Sequence, residues 1–158
     1  MPHITPNLWF DGNALEAAEF YCSIFPNSKI VNVIHYPDNA PDRPGEVLTV
    51  DFELDGQLHT AINGGPQFTF DAAFSLLVDA KDQAEIDDYT AKLIEGGGEQ
   101  GHCGWLTDKF GFSWQVCPQD IVDYYKDPAD PKTQAAVAEM MTHMKIDLSA
   151  IKQAYDQA

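Results

Sequence analysis

The sequence predicts an α+β fold made of two copies of one strand–helix–strand unit, and three observations support this. At a constant offset of 68 residues, four positions of similar character recur: Phe10 and Val78, Asp11 and Asp79, Tyr21 and Tyr89, Phe25 and Leu93. Each copy reads as an apolar strand, an Asp-led turn, an amphipathic helix and further strands. One such unit cannot bury both its helix stripe and its sheet face, so two should pack together. We therefore expect two βαβββ modules with a concave mixed sheet, helices on its convex side, and an open pocket face.

The first module should span about residues 3–66. A strand at Ile4–Phe10 ends in an Asp-Gly-Asn turn that supplies a helix N-cap, and Ala14–Phe25 carries a helical apolar stripe. A β-branched strand follows at Lys29–Tyr36, and the proline-rich residues 37–45 read as a loop that is a candidate lid over the pocket. Alternation predicts a strand at 47–54, which Asp55-Gly56 turns into a hairpin with residues 58–62.

The second module should span about residues 72–117. It begins with a strand at Phe74–Val78 and a helix from about Gln83 to Ile94, which a run of three glycines closes. Two short strands follow at 103–107 and 112–117. Residues 118–158 then form a helical appendage, in which Val137, Met140, Met141 and Met144 make an apolar stripe. We expect one domain across residues 1–158.

Composition narrows the possible partners. The formal net charge of −16 argues against nucleic acid and anionic membrane surfaces, because both are negatively charged. We see no apolar run close to the ~20 residues of a membrane helix, and no charged-then-apolar N-terminal segment. Three cysteines without metal-type spacing suit a reducing compartment, so we expect a cytoplasmic protein.

Short sequence words spread over the whole chain resemble one family. They are Leu8–Gly12, Phe20–Tyr21, Leu54–Gly56, Asn63–Pro66, Cys103–Gly111, Ser113–Val116 and Met144–Asp147. They resemble the PhnB-like branch of the vicinal-oxygen-chelate superfamily, which holds glyoxalase I, extradiol dioxygenases and bleomycin-resistance proteins. Members of this branch are often labelled 3-demethylubiquinone-9 3-methyltransferase. The resemblance implies the glyoxalase/bleomycin-resistance fold, with paired βαβββ modules and a pocket in the concave sheet.

The methyltransferase label agrees poorly with the residues. Methyl transfer from S-adenosylmethionine usually relies on a Rossmann-like parallel sheet with a glycine-rich turn after the first strand. Here that turn is Asp11-Gly12-Asn13, and Gly96–Gly98 follows a helix instead of preceding one. We therefore disfavour methyl transfer.

The resemblance also locates where a metal would be held. The superfamily's metal enzymes take ligands from the first and fourth strands of each module, which here correspond to Thr5, His59, Ala73 and Gln115. One imidazole and one amide do not supply the roughly three ligands that a divalent ion needs. We expect no metal and no other cofactor, although an irregular site using His3 and His59 stays open.

The remaining residues favour a small-molecule site. His59 is the best acid–base candidate, because an imidazole titrates near neutral pH and its expected side is the pocket. Alternation places Trp9 towards the pocket and Trp114 in the core, whereas the face of Trp105 is not fixed. The predicted ligand-binding residues are Thr5, Asn7, Trp9, His59, Asn63 and Gln115.

Three functions are compatible with these residues. The first is binding of a small, partly apolar or aromatic organic molecule without metal, as resistance proteins do. The second is a metal-independent enzyme that uses His59 for proton transfer, and the third is the methyltransferase of the label. Whether the protein is an enzyme stays open, and the sequence does not name the ligand. We expect a homodimer, because open half-barrels leave strand edges and apolar surface in water.

Overall fold

The computed structural model describes residues 3–158, which divide into two compact units, one ending at Phe70 and the other beginning at Asp71. The first unit contains β1 (Asn7–Phe10), α1 (Ala14–Ile24), β2 (Lys29–His35), β3 (Val47–Leu54) and β4 (Gln57–Asn63). The second contains β5 (Ser75–Ala80), α2 (Gln83–Ile94), β6 (Glu99–Gln100), β7 (Trp105–Thr107), β8 (Ser113–Pro118), a 3₁₀ helix (Gln119–Tyr124), α3 (Pro131–Met140) and α4 (Leu148–Gln157). The α+β class, the two βαβββ modules and the C-terminal helices are therefore confirmed.

Each unit has its own four-stranded mixed sheet. The strand orders are β1-β4-β3-β2 and β5-β8-β7-β6. The pairs β1–β4 and β5–β8 are parallel, and the other neighbours are antiparallel. This topology differs from the doubly wound parallel sheet of Rossmann-like enzymes.

The first sheet has one face under α1 and one open face. Leu8, Phe10 and Phe52 are at most 4% exposed and lie on the covered face, where the ring of Tyr21 from α1 stands 6.4 Å from that of Phe52. Ala17 and Ala18 of α1 are also buried, so the helix lies close to the strands. Because side chains alternate along a strand, the intervening residues form the open face.

The second sheet repeats this arrangement with α2. Leu106, Trp114 and Val116 are buried with Ile86 and Leu93 of the helix. The Trp114 indole Nε1 donates to Asp108 Oδ2 at 2.9 Å, which satisfies its buried N–H. The prediction that Trp114 lies in the core is confirmed.

β1 begins at Asn7 instead of Ile4, several other ends shift by one or two residues, and two further differences have a clear physical reason. β7 begins at Trp105 instead of Cys103, because Cys103 and Gly104 have φ angles of 55° and 83°. Their N–H groups donate to the carbonyls of His143 and Met144, both at 2.8 Å, instead of joining the sheet. α3 ends at Met140, so Met144 does not continue its stripe; the buried residues of α3 are Thr133 and Ala136.

The C-terminal segment packs onto the second sheet and α2. The Gln83 side chain donates to Ile146 O and accepts from Leu148 N, both at 2.9 Å, and Ile146 is fully buried. Lys145 adds an ion pair to Asp87 at 2.6 Å. Residues 118–158 are therefore part of the second unit's packed structure. Within residues 3–158, no helix combines the length and apolar character needed to span a membrane.

Candidate functional site

The predicted site residues of the first unit divide between the two faces of its sheet. β1 and β4 pair in parallel with Leu8 opposite Ala61 and Phe10 opposite Asn63. Paired residues share a face, so Asn63 lies with Phe10 on the face under α1, and alternation places His59 there too. Asn7 and Trp9 lie on the open face. The prediction that His59 and Asn63 face the same side as Trp9 is therefore wrong.

His59 is enclosed by the core of the first unit. It is 3% exposed, and its ring is stacked on Phe52 with centroids 5.4 Å apart and planes 21° apart. Its Nδ1 lies 2.9 Å from the Gln57 carbonyl. Burial lowers the pKa of His59, because the charged imidazolium loses its hydration, and the hydrogen bond to Gln57 opposes this only in part. A ligand on the open face does not reach this ring.

Asn63 holds the start of α1. Its Oδ1 accepts from the N–H groups of Gly12 and Ala14, both at 3.0 Å, and its Nδ2 donates to Val47 O at 3.0 Å. The N-cap residue Asn13 makes no side-chain capping bond. Asn63 therefore satisfies N–H groups at the helix start from a neighbouring strand, which is a structural role.

Trp9 is the aromatic centre of the open face, and its indole is fixed in place. Nε1 donates to Gly65 O at 2.8 Å, and the ring of Phe68 meets the indole edge-on with centroids 5.0 Å apart. A Cβ on Gly64 would stand 2.2 Å from a ring carbon of Trp9, so only glycine permits this close approach. Trp9 therefore lies on the face of the sheet opposite α1, and its place in a ligand pocket stays a prediction.

Two rows of side chains cross the open face. The Asp51 row runs through cross-strand partners from β1 to β2: Asn7, Thr60, Asp51, Asn32. The Trp9 row lies beside it and runs Trp9, Ile62, Thr49, Ile34. Neighbouring partners in a row have Cβ atoms about 5 Å apart. The sequence prediction missed the members of β2, β3 and β4, although their alternation with buried residues was visible.

The loop between β2 and β3 is held at the end of β1 and β4. The Arg43 guanidinium pairs with Asp11 at 3.1 Å, and the Tyr36 hydroxyl donates to Asn63 O at 2.8 Å. Arg43 Nη2 lies 3.4 Å from where a Cβ on Gly65 would stand. The loop therefore reaches the glycine whose carbonyl accepts from Trp9. Its role as a lid stays a prediction.

The other predicted residues have the following surroundings. Thr5 is half-buried in the segment before β1. Gln115 lies on the open face of the second sheet, where its Nε2 donates to Ser75 Oγ at 2.9 Å. Trp105 is the cross-strand partner of Gln115, so it shares that face. This settles the orientation of Trp105, which the sequence left open.

Cys22 and Cys117 are poorly suited to nucleophilic chemistry. Burial raises the pKa of the Cys22 and Cys117 thiols, and the thiolate is the reactive form. Tyr125, near Cys117, has its pKa raised to about 12, chiefly by burial. These groups stay protonated at neutral pH.

The residues at the superfamily's metal positions do not fit a metal ion. His59 faces α1, Ala73 has no donor atom, and Gln115 offers an amide that already bonds to Ser75. The hydroxyl of Thr5 is a weak ligand for a divalent ion without carboxylate or imidazole neighbours. Among residues 3–158, no three histidine, cysteine, aspartate or glutamate side chains cluster closely enough to hold a metal.

A family model and one similar solved structure agree on the family of this chain. A family model described as 3-demethylubiquinone-9 3-methyltransferase matches residues 2–117. The chain is 36% identical to a PhnB protein of the same description from Bacillus cereus, with a TM-score of 0.68 over 74% of this chain and 99% of that one. No curated protein matches.

More distant structures share the fold alone. A protein from Pseudomonas aeruginosa is 19% identical, with a TM-score of 0.62 over 75% of this chain and 98% of that one. The fosfomycin resistance protein of Listeria monocytogenes, in complex with Mn(II) and sulfate, is 12% identical, with a TM-score of 0.54 over 79% and 95% of the two chains.

Proposed function

The chain belongs to the PhnB-like family described as 3-demethylubiquinone-9 3-methyltransferase, within the vicinal-oxygen-chelate superfamily, and on that premise we propose that it binds a small, partly apolar or aromatic organic molecule. The ligand lies on the open face of the first sheet and needs no metal. The observation that supports this is the fixed Trp9 indole, which presents an aromatic surface away from the covered core.

The arrangement around Trp9 suits recognition of a flat ligand. Three elements restrain its indole: the Gly65 carbonyl, the close backbone at Gly64 and the Phe68 edge. Phe68 is itself 66% exposed, so it offers a second aromatic surface beside the first. A pre-positioned aromatic group binds an apolar ring without a further loss of side-chain freedom.

The enzymatic alternative loses its only named residue. His59 was the candidate for proton transfer, and it faces α1 within the core. A general base must come within about 3 Å of the proton that it removes. Binding without turnover is therefore the function that the geometry supports best.

Methyl transfer is the activity that the family's description names, and two features count against it here. Within residues 3–158 each sheet has a single parallel strand pair. The glycine run Gly96–Gly98 follows α2, as expected for a helix stop. Calorimetry with S-adenosylmethionine tests this alternative directly, and we expect no binding.

The test of the proposed function uses tryptophol, a neutral indole with a hydroxyethyl chain. In ¹H–¹⁵N NMR titrations it should shift the Trp9 indole N–H and the amides of Ile62 and Thr49. Trp9→Ala should weaken binding at least fivefold and Trp9→Phe less, whereas Phe74→Ala, an exposed aromatic of the second unit, should leave it unchanged. Equal weakening by the Trp9→Ala and Phe74→Ala variants, or no shift at millimolar tryptophol, would refute the proposal.

The proposal extends to assembly and location. A homodimer is supported by apolar side chains exposed in the second unit, among them Met141 at 64% and Met144 at 43%. A reducing, cytoplasmic location is supported by three free cysteines, none of them in a disulfide.

A further inference from the structure

Arg43 is the only arginine of the chain, and it lies on the loop between β2 and β3. The Arg43 carbonyl accepts from Glu46 N at 3.1 Å, and Tyr36 N donates to Glu46 O at 2.8 Å, so hydrogen bonds close the loop around it. Its Nη2 pairs with Asp11, the residue after β1, at 3.1 Å. The guanidinium is therefore positioned both by its own loop and by the end of β1.

Most of the hydrogen-bond donors of this guanidinium are free. A guanidinium has five N–H groups in one plane, and within residues 3–158 the Arg43 side chain makes one hydrogen bond, from Nη2 to Asp11 Oδ1. Whichever Nη2 hydrogen Asp11 takes, one two-pronged edge stays free, Nη2 with Nη1 or Nη2 with Nε. No buried side-chain N or O atom of the described residues is left without a partner, so Nε and Nη1 reach solvent. A free edge of this kind fits a carboxylate.

Gly65 lies between this guanidinium and the Trp9 indole. Arg43 Nη2 is 3.4 Å from where a Cβ on Gly65 would stand, and the Gly65 carbonyl accepts from Trp9 Nε1 at 2.8 Å. With ordinary backbone dimensions, these contacts keep Nη2 and Nε1 within about 10 Å of each other. A carboxylate one methylene away from a ring that lies on Trp9 therefore comes within reach of Arg43.

We propose that the ligand is an aromatic carboxylic acid, with its ring on Trp9 and its carboxylate on the free edge of the Arg43 guanidinium. The inference rests on the proposed function and adds the charge of the ligand. Lys29, the only other lysine or arginine of residues 3–70, pairs with Glu53 on β3 at 3.6 Å. The Arg43 side chain is 26% exposed, so water screens its charge less than that of a fully exposed side chain.

Three indoles of matched size test this: indole-3-acetate, an anion; tryptophol, neutral; and tryptamine, a cation. The NMR titrations use 150 mM salt, which screens the long-range repulsion between an anion and the chain's net charge of −16. Indole-3-acetate should bind about threefold to tenfold more tightly than tryptophol, as a partly buried two-pronged ion pair allows. Tryptamine should bind most weakly. Arg43→Gln should lower the ratio of indole-3-acetate to tryptophol affinity to about one, and an unchanged ratio would overturn the inference.

Two controls separate a direct contact from other effects of the substitution. Lys29→Gln removes one positive charge from the same unit and should leave the ratio within twofold of the wild-type ratio. Asp11→Asn breaks the same ion pair but keeps the guanidinium, so the ratio should stay or rise. If either control lowers the ratio as much as Arg43→Gln does, net charge or loop placement explains it and the inference is overturned.

The three probes also separate this inference from the proposed function. Equal binding of indole-3-acetate and tryptophol to the wild-type protein overturns the inference but leaves the proposed function intact. Failure of all three probes to shift the Trp9 indole N–H overturns both.

Discussion

Removing the Asn63 amide should unfold the start of α1, and the cost follows from three hydrogen bonds. Asn63→Ala deletes the acceptor of the Gly12 and Ala14 N–H groups and the donor to Val47 O. Each bond contributes about 1 kcal/mol net, and a buried group left unpaired costs a further 1–3 kcal/mol. Ala14 is fully buried, whereas Gly12 is exposed and water can replace its partner. We expect the free energy of unfolding to fall by about 3–5 kcal/mol.

Equilibrium unfolding in urea, followed by circular dichroism, measures this loss. The matched control is Asn7→Ala, since Asn7 is exposed on the open face and its side chain has no partner within residues 3–158. It should change the free energy of unfolding by no more than about 0.5 kcal/mol. In the Asn63→Ala variant, the rate of amide hydrogen exchange should increase most at Ala14. If Asn63→Ala is as stable as Asn7→Ala and loses only its affinity for tryptophol, the structural role is refuted. Asn63 would then be a ligand-binding residue, as the sequence predicted.

Three further predictions follow. Because the pKa of His59 is below its ordinary value of 6.5 in the folded state, the unfolded state binds the proton more readily, so stability should fall as the pH drops below about 6.5. Gly64→Ala should displace the Trp9 indole, lower the free energy of unfolding by about 1–3 kcal/mol and shift the indole N–H resonance. Light scattering at micromolar concentration should give about twice the chain mass of 17.5 kDa, and Met141→Lys with Met144→Lys should reduce it to a folded monomer.

Each of the three predictions, on His59, Gly64 and the dimer, has its own control. His59→Phe keeps a ring against Phe52 and should flatten the difference in stability between pH 7 and pH 5; an unchanged difference would assign the effect to other groups. For Gly64→Ala the control is Gly12→Ala, which adds a methyl group that meets nothing within 4 Å; its φ of 91° adds a backbone cost that Gly64 does not have. It should leave the Trp9 resonance in place. A wild-type mass near 17.5 kDa would rule out a stable dimer.

The fold was predictable because the repeat and the strand alternation are local properties of the sequence. The repeat, seen as the 68-residue offset between Phe10 and Val78, corresponds to the same order of strands and helix in the two units. Trp114 was assigned to the core correctly, since its strand alternates buried and half-buried residues along most of its length. β6 was not located, because a two-residue strand is too short to show any period.

The site was only half predictable, and β4 shows why. By polarity, Leu58 and Ile62 look like its core side and His59 and Asn63 like its solvent side. The structure has the reverse, because Ala61 is small enough for the close approach of α1 and Asn63 is needed at that helix start. The register of β4 against β1 decides which face of the sheet the side chains of β4 point to. The sequence of one strand alone does not determine its pairing with a strand far away in the chain.

The hydrogen bonds from Gln83 to Ile146 and Leu148 determine when the second unit can finish folding during synthesis. Every strand and helix of the first unit is complete once residue 70 has been made, so that unit can fold early on the ribosome. The second unit cannot fold as early, because the N–H groups of Cys103 and Gly104 bind carbonyls that lie some 40 residues further along the chain. Until Ile146 arrives, the end of the second sheet is open to water and to other chains. The nascent protein is therefore most exposed to misassembly late in translation, and slow codons after residue 118 would prolong that interval.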